Sequence, residues 1–129
     1  MNITVVAAVI EQEERFLVTR RPTGVHLAGL WEFPGGKIDR DESHHAALKR
    51  EIREELDADV EVGELTFATT HAYPDRTVAL YFYRCTLLGS PRPLLGQEMQ
   101  WAARLELPLL GFPPADAQLI ERLTKAGVR

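Results

Sequence analysis

The chain has 129 residues, a formal net charge of −4 and a sequence pI near 5.6. This length suits one domain with a substantial core, so we expect residues 1–129 to form a single domain. The acidic balance excludes a broad basic surface of the kind that holds nucleic acid, and we expect no stable nucleic-acid binding.

The N-terminal segment, "MNITVVAAVI", is apolar but short. It has no basic leading region and falls well below the ~20 apolar residues of a membrane span, so it predicts a first strand and no membrane insertion. The single cysteine, Cys85, excludes an internal disulfide and fits a reducing compartment, so the expected location is the cytoplasm. Its apolar surroundings favour a buried structural thiol over a reactive one.

The first half of the chain predicts two strands, a loop and a helix. "ITVVAAVI" and "RFLVTRR" flank the polar "EQEE" and predict a hairpin. The loop "PTGVHLAGLWEFPGG" follows, and its Gly35-Gly36 pair would let the backbone approach a ligand closely. The next helix is expected to begin near Ser43, a favourable N-cap.

The second half predicts another hairpin and a closing helix. "VEVGELTFATTHAY" and "TVALYFYRCTLL" flank the turn "PDR", and "EMQWAAR" predicts a further strand. In "FPPADAQLIERLTKAG", Leu119, Ile120 and Leu123 recur at helical spacing, and Gly127 marks the end of the helix. The expected fold is an α/β sandwich with a mixed sheet between two helices.

The first helix carries glutamates beside its apolar side. Its apolar arc consists of Leu48, Ile52 and Leu56. Glu51, Glu54 and Glu55 occupy the adjacent arc, where like charges repel. Glu54 has Arg50 four residues earlier, but Glu51 and Glu55 have no cation three or four residues away, so neither is expected to have a cation partner within the helix. A solvated charged surface is one interpretation.

A metal site is the other interpretation. Mg²⁺ prefers carboxylate and carbonyl oxygens, and substrate phosphates often complete its coordination. Carboxylates one helical turn apart, beside a glycine pair, supply such oxygens. The chemistry that this arrangement indicates is hydrolysis at phosphorus.

The same residues resemble a family motif. Five residues separate Gly36 from Glu42, and seven more precede Arg50–Leu56, "REIREEL". This pattern resembles the Nudix box, G-x5-E-x7-R-E-u-x-E-E-x-G-u, where u is a bulky aliphatic residue. Asp57 replaces the usual glycine and Ala58 a larger aliphatic residue. Because Asp tolerates a left-handed helix end less well than glycine, we expect an altered helix end with the chemistry retained.

The segments "RRP", "LWEFPGGK", "YPDR" and "FPPAD" extend the resemblance to the MutT-like branch of the Nudix family over nearly the whole chain. It implies a Nudix fold and Mg²⁺-dependent hydrolysis of a nucleoside triphosphate to the monophosphate and pyrophosphate, with Mn²⁺ as a substitute ion. The implied role is nucleotide-pool sanitation, as in 8-oxo-dGTP diphosphatases. The enzyme would be a monomer or a homodimer, and the sequence leaves both open.

The resemblance also implies site residues. The implied metal ligands are the Gly36 carbonyl, Glu51, Glu54 and Glu55. Arg50 would orient a carboxylate, Glu42 would close the loop onto the helix, and Arg21 would contact phosphate or sugar. Glu98, close to Trp101, is the remaining implied catalytic residue, as a metal ligand or base; the alternative is a glutamate at the rim of the site.

Base recognition is expected at Asp116, where the best-known relatives carry the asparagine of FPPAN. An ionised Asp116 only accepts hydrogen bonds, which suits 8-oxo-guanine and also the amine of cytosine. Substrates of either kind therefore stay open: 8-oxo-dGTP, CTP, 5-methyl-dCTP or a broad range of nucleoside triphosphates. The alternative is that Asp116 caps the last helix.

Other polar and aromatic residues have less specific signals. Phe33 is expected to line the base pocket, with Trp31 and Tyr73 as further stacking candidates, although aromatic residues near strands are often core. Arg76 either reaches the base or is an exposed turn residue. No metal-ligand spacing links the histidines His26, His44, His45 and His71, and the pair His44-His45 is expected at the surface.

Two other functions are compatible with parts of the sequence. One is a non-catalytic lesion-recognition module like the MutT-like end of adenine DNA glycosylases, which the acidic charge and the intact glutamate set disfavour. The other is a different Nudix substrate class, such as a sugar nucleotide or a dinucleoside polyphosphate.

Overall fold

A computed structural model describes residues 2–22 and 29–126. In this part of the chain the elements are β1 (Asn2–Gln12), β2 (Arg15–Arg20), β3 (Trp31–Glu32), β4 (Gly35–Lys37), α1 (His44–Leu56), β5 (Val60–Tyr73), β6 (Arg76–Leu87), β7 (Glu98–Ala103) and α2 (Ala117–Ala126). Two 3₁₀ turns, Arg104–Leu109 and Pro114–Asp116, precede α2. None of the described helices has the length and apolarity needed to cross a membrane.

Strand β1 organises the sheet because it pairs with three other strands. It runs parallel to β6 from Asn2↔Thr77 to Ile10↔Cys85, and antiparallel to β4 from Val5↔Lys37 to Ala7↔Gly35. Its last residues, Glu11 and Gln12, pair with β2, which in turn pairs with β3 and β7. The long hairpin of β5 and β6 completes the sheet.

The expected mixed sheet between two helices is confirmed. Successive β1 side chains point to opposite faces, so Ala7 and Val9 join the core beside α2, while Val6, Ala8 and Ile10 join the core beside α1. The α2 side chains in the first core are Leu119, Ile120 and Leu123, as their spacing predicts. The α1 side chains in the second are Ala47, Leu48, Ile52 and Leu56.

The predicted hairpins, the strand at β7 and both helices are confirmed, but part of the predicted loop is wrong. Gly35 and Gly36 lie in β4 instead of irregular backbone. A Cβ at Gly35 would overlap the Val6 carbonyl oxygen, so this glycine lets β4 lie against β1. Close approach to another part of the protein, and not to a ligand alone, explains this glycine.

Both ends of α1 are capped. At the first, Ser43 Oγ accepts a hydrogen bond from the Ala46 N–H at 3.1 Å, as predicted. At the second, Asp57 adopts the left-handed conformation (φ 51°, ψ 43°) and its N–H donates to the Arg53 carbonyl at 3.1 Å. The expectation of an altered helix end is therefore wrong, because aspartate is among the few residues that enter this region readily. The Asp57 carboxylate also pairs with Arg92.

Two smaller expectations concern Cys85 and Gly127. Cys85 is buried, and this burial raises the pKa of its thiol to about 12, which fits a structural role. Gly127, the expected end of the last helix, lies outside the described residues.

Candidate active site

Two neighbouring cavities share a wall. Four predicted substrate-binding side chains line the first, here called the base-side cavity: Arg21, Phe33, Arg76 and Asp116. Three predicted metal ligands line the second, here called the carboxylate cavity: Glu51, Glu54 and Glu55. Arg21, Glu32 and Gly35 line both. The structure thus places the two predicted groups of residues side by side.

Arg50 connects the loop before α1 to the acidic side of the helix. Its Nε and Nη2 donate to the two carboxylate oxygens of Glu42 at 2.7 and 2.9 Å. Its Nη1 donates to Glu51 at 2.9 Å and to Glu54 at 3.2 Å, and Nη2 also reaches the Lys37 carbonyl at 3.2 Å. The bidentate, charge-assisted pair of Arg50 with Glu42 fixes the position of both side chains.

These contacts correct one expectation and agree with another. Glu51 does have a cation, because the long Arg50 side chain curls back to its immediate neighbour. Glu42 accepts from both Arg50 and the Asp39 N–H, the latter at 2.9 Å, so it closes the loop onto α1 as the resemblance implies. The Arg50 hydrogen bond, followed by that of Asp39, lowers the pKa of Glu42 to about 2.

Glu55 differs from its neighbours. Its Oε2 is buried and makes no hydrogen bond with the described residues. Burial first, and then the charges of Glu51 and Glu32, raise the pKa of Glu55 to about 9. A buried carboxylate oxygen without a partner is costly, and either a proton or a cation would offset that cost.

This donor set fits a hard divalent cation. Four carboxylates line the carboxylate cavity, those of Glu32, Glu51, Glu54 and Glu55, and one buried oxygen among them, Oε2 of Glu55, is unsatisfied among the described residues. In the part of the chain that the structure describes, no three acidic, histidine or cysteine side chains already stand at metal-binding spacing. Glu51 and Glu54 each pair with Arg50 through one oxygen, so their other oxygens are the ones that a cation would use.

Gly36 contributes space to this site. A Cβ on Gly36 would overlap the Glu51 carboxyl group, so only glycine leaves Glu51 where it is. Its carbonyl as a metal ligand stays a prediction.

Glu98 lies apart from the carboxylates. It begins β7 opposite Arg20 of β2, and the two side chains are 3.5 Å apart. Its side chain is 63% exposed and lines neither cavity. Its role as a ligand or base stays a prediction, whereas Leu95 from the preceding segment does line the carboxylate cavity.

Asp116 is the buried acid of the base-side cavity. It is only 4% exposed and lines this cavity, and the helix-cap alternative stays open. Burial first, and then the charge of Glu32, raise the pKa of Asp116 to about 7, while Arg21 opposes the rise. Near neutral pH this group therefore exists both as an acid that donates and as a carboxylate that accepts.

Of the aromatic and arginine residues predicted for the base pocket, Phe33, Arg76 and Tyr73 line the base-side cavity, but each also contacts other residues. Phe33 belongs to both the core and the pocket: it is 3% exposed, packs on Phe82 and Phe112, and lines the base-side cavity. Arg76 lines the same cavity while pairing with Asp75 at 2.8 Å. Tyr73 lines it too.

Several remaining candidates lie outside both cavities. Trp31 does not line either one and stacks with Arg20 instead. The expectation for the histidine pair is half right, because His45 is exposed but His44 is half-buried and hydrogen-bonds Tyr83 at 2.8 Å. His26 lies outside the described residues, and His71 contacts the Tyr73 ring.

Glu32 is a site residue that the sequence alone did not predict. Arg21 donates to both of its oxygens at 3.1 and 2.9 Å, and this pair forms the wall between the two cavities. Burial raises the pKa of Glu32 against the opposing charge of Arg21. The available signal was a charged residue between Trp31 and Phe33, in a stretch that is otherwise apolar.

Comparison with known proteins shows which family the chain belongs to. The family model described as the NUDIX domain matches residues 5–122. A CTP pyrophosphohydrolase of Escherichia coli strain K12 is 37% identical over 120 residues, covering 92% of this chain and 89% of that protein. An 8-oxo-dGTP diphosphatase of Haemophilus influenzae is 37% identical over 123 residues, covering 94% and 90%.

Solved structures agree with these relatives. The solution structure of the E. coli ORF135 protein superposes with a TM-score of 0.86 at 34% identity, covering 98% of this chain and 91% of that one. The NMR structure of MutT from methicillin-resistant Staphylococcus aureus 252 gives 0.80 at 35% identity, with 98% of each chain covered. The chain therefore belongs to the Nudix family and is a MutT-like Nudix hydrolase.

Proposed function

We propose that this enzyme hydrolyses a nucleoside triphosphate to the monophosphate and pyrophosphate with a divalent cation, Mg²⁺ or in its place Mn²⁺. The observation that carries the proposal is the unsatisfied, buried Glu55 oxygen beside Glu51, in a cavity that shares a wall with a second, mainly aromatic and apolar one. The first suits a cation with phosphates, and the second suits a base.

The residues divide the work between binding and charge. Glu51, Glu54 and Glu55 would hold the cation, which when bound neutralises phosphate charge and lowers the pKa of water. Arg50 donates through Nη1 to two of these carboxylates, Glu51 and Glu54. Arg21, which lines both cavities, would contact phosphate or sugar. Glu98 is proposed as an accessory ligand or base that approaches when substrate binds.

For the base we propose 8-oxo-guanine, with nucleotide-pool sanitation in the cytoplasm as the role. Asp116 supports this choice because a carboxyl group with a pKa of about 7 both donates and accepts near neutral pH. The sequence alone suggested that Asp116 only accepts hydrogen bonds. With this pKa it can also donate one, and in this respect it resembles the amide of asparagine.

Cytosine is the second candidate, for two reasons. An ionised Asp116 suits an exocyclic amine, and one relative is named a CTP pyrophosphohydrolase. The relatives' names include both substrates, so they do not favour one over the other.

The test is kcat/KM for 8-oxo-dGTP, dGTP, CTP and 5-methyl-dCTP with Mg²⁺, with product identification and an EDTA control. We expect 8-oxo-dGTP to exceed dGTP, and Asp116→Ala to narrow that ratio more than it slows a poor substrate, because unmatched buried polar groups discriminate strongly. A cytosine nucleotide ranked first would establish the second candidate. Turnover that persists in EDTA, or an unchanged ranking in Asp116→Ala, would contradict the proposal.

A further inference from the structure

Residues 91–97 lie against the C-terminal end of α1, where helix carbonyls need partners. The Arg92 N–H donates to the Leu56 carbonyl at 2.7 Å, and the Leu94 N–H donates to the Glu55 carbonyl at 2.9 Å. This segment therefore caps the turn of α1 that carries the predicted ligand Glu55.

Gln97 joins the segment to the helix through its side chain. Its Nε2 donates to the Glu55 carbonyl at 3.1 Å, and its Oε1 accepts from the Leu95 N–H at 2.8 Å. Between them, Gly96 takes a φ of 72°, which lets the chain turn sharply enough for Gln97 to reach back. Gln97 is 9% exposed, so water does not readily replace these two hydrogen bonds.

The two partners of Gln97 both belong to the carboxylate cavity. The Glu55 side chain lines it and has the unsatisfied oxygen, and the Leu95 side chain lines it from the other element. One amide group thus fixes the spacing between a carboxylate and an apolar residue beside it.

We infer that Gln97 is a positioning residue for the cation site: its amide joins the Glu55 carbonyl to the Leu95 N–H and so holds the backbone that presents the Glu55 carboxylate to the cation. The inference rests on the proposed function. Outer residues that orient metal ligands change metal affinity by about 10- to 100-fold when replaced. A merely structural role would lower stability and leave cation affinity unchanged.

The experiment compares wild type, Gln97→Met and the control Gln100→Met. Methionine keeps the length and loses both hydrogen bonds, and Gln100 lies on β7, the strand that follows Gln97 directly. Binding of Mn²⁺ alone is measured by EPR of the free ion, and thermal unfolding is measured without cation. We expect Gln97→Met to weaken Mn²⁺ binding about 10- to 100-fold and Gln100→Met to leave it unchanged.

A second measurement needs no variant. Hydrogen exchange of the Leu94 and Leu95 amides is followed in wild type with and without Mn²⁺, because coupling between two sites is reciprocal. Slower exchange with Mn²⁺ is expected. Unchanged Mn²⁺ affinity in a folded Gln97→Met, or unchanged exchange if that variant does not fold, would overturn the inference. Wild type that binds no Mn²⁺ would instead overturn the proposed function.

Discussion

At the scale of single residues, Asp116 links the base-side cavity to protein stability. Its pKa rises from an ordinary 3.8 to about 7 on folding, because burial disfavours the charged form. The folded state therefore holds this proton more tightly than the unfolded chain does. The stabilisation is complete below about pH 4 and is lost as the pH rises through about 7.

Asp116→Asn removes this dependence, because the amide does not titrate. Between pH 5 and pH 8 we expect the free energy of unfolding of the variant to gain on that of wild type by roughly 2–3 kcal/mol. Urea unfolding of both proteins at the two pH values measures it, and Glu64→Gln, at an exposed position of β5, is the control. A difference that does not change with pH would mean that Asp116 is ionised throughout.

The glutamates of α1 are predicted to respond differently to neutralisation. Glu55 has an unsatisfied buried oxygen, whereas Glu51 accepts a hydrogen bond from Arg50. Glu55→Gln should therefore raise the melting temperature without cation more than Glu51→Gln does. Both should lower kcat by ~10²-fold, as loss of a ligand would.

Calorimetry in EDTA and kcat over a Mg²⁺ titration measure these two effects. Glu61→Gln, at an exposed strand position, serves as the control. Near-normal kcat of either α1 variant at limiting Mg²⁺ would remove that residue from the ligand set.

At the scale of elements, two adjacent glycines of β4 are needed for different reasons, Gly35 for the fold and Gly36 for the site. A Cβ at Gly35 would overlap backbone of β1, which cannot move without breaking strand pairing, whereas a Cβ at Gly36 would overlap the movable Glu51 carboxyl group. We expect Gly35→Ala to destabilise the fold strongly. Gly36→Ala should stay folded with a displaced Glu51 and lose most of its kcat.

Gly89→Ala is the matched control, because nothing lies within 4 Å of the added Cβ. Circular dichroism melting and kcat at saturating Mg²⁺ distinguish the three variants. Equal stability of the Gly35 and Gly36 variants, or full activity of Gly36→Ala, would contradict this division.

The features that the sequence predicts correctly are those encoded by residues close together in the chain. The Ser43 cap, the apolar arc of α1 and the spacing of Leu119, Ile120 and Leu123 are local, and all are confirmed. The pairing of β1 with β4 and β6 joins residues far apart in the chain, and no short pattern encodes it. The same holds for the site: one motif gave the glutamates of α1, but Glu32 gained its place only through Arg21 and the shared wall.

At the scale of the whole molecule, the two cores meet at β1. Ala7 and Val9 belong to one core and Val6, Ala8 and Ile10 to the other, so loosening either core disturbs the strand that both share. This arrangement supports the proposal that residues 1–129 are a single cooperative domain. The two tryptophans report on different sides, since Trp31 packs against the core beside α2 and Trp101 against the core beside α1.

The fluorescence of Trp31 and Trp101 can therefore follow the unfolding of each core separately. Leu119 is fully buried in the core beside α2, and Leu119→Ala should cost about 2–5 kcal/mol through lost burial and the cavity left behind. If the domain is cooperative, the denaturation midpoint falls equally in Trp31→Phe and Trp101→Phe backgrounds, each of which keeps one tryptophan. Gln118→Ala, exposed on the same helix, should leave both midpoints in place. If Leu119→Ala leaves the denaturation midpoint followed by Trp101 unchanged, the two cores unfold independently and the single-domain proposal is wrong.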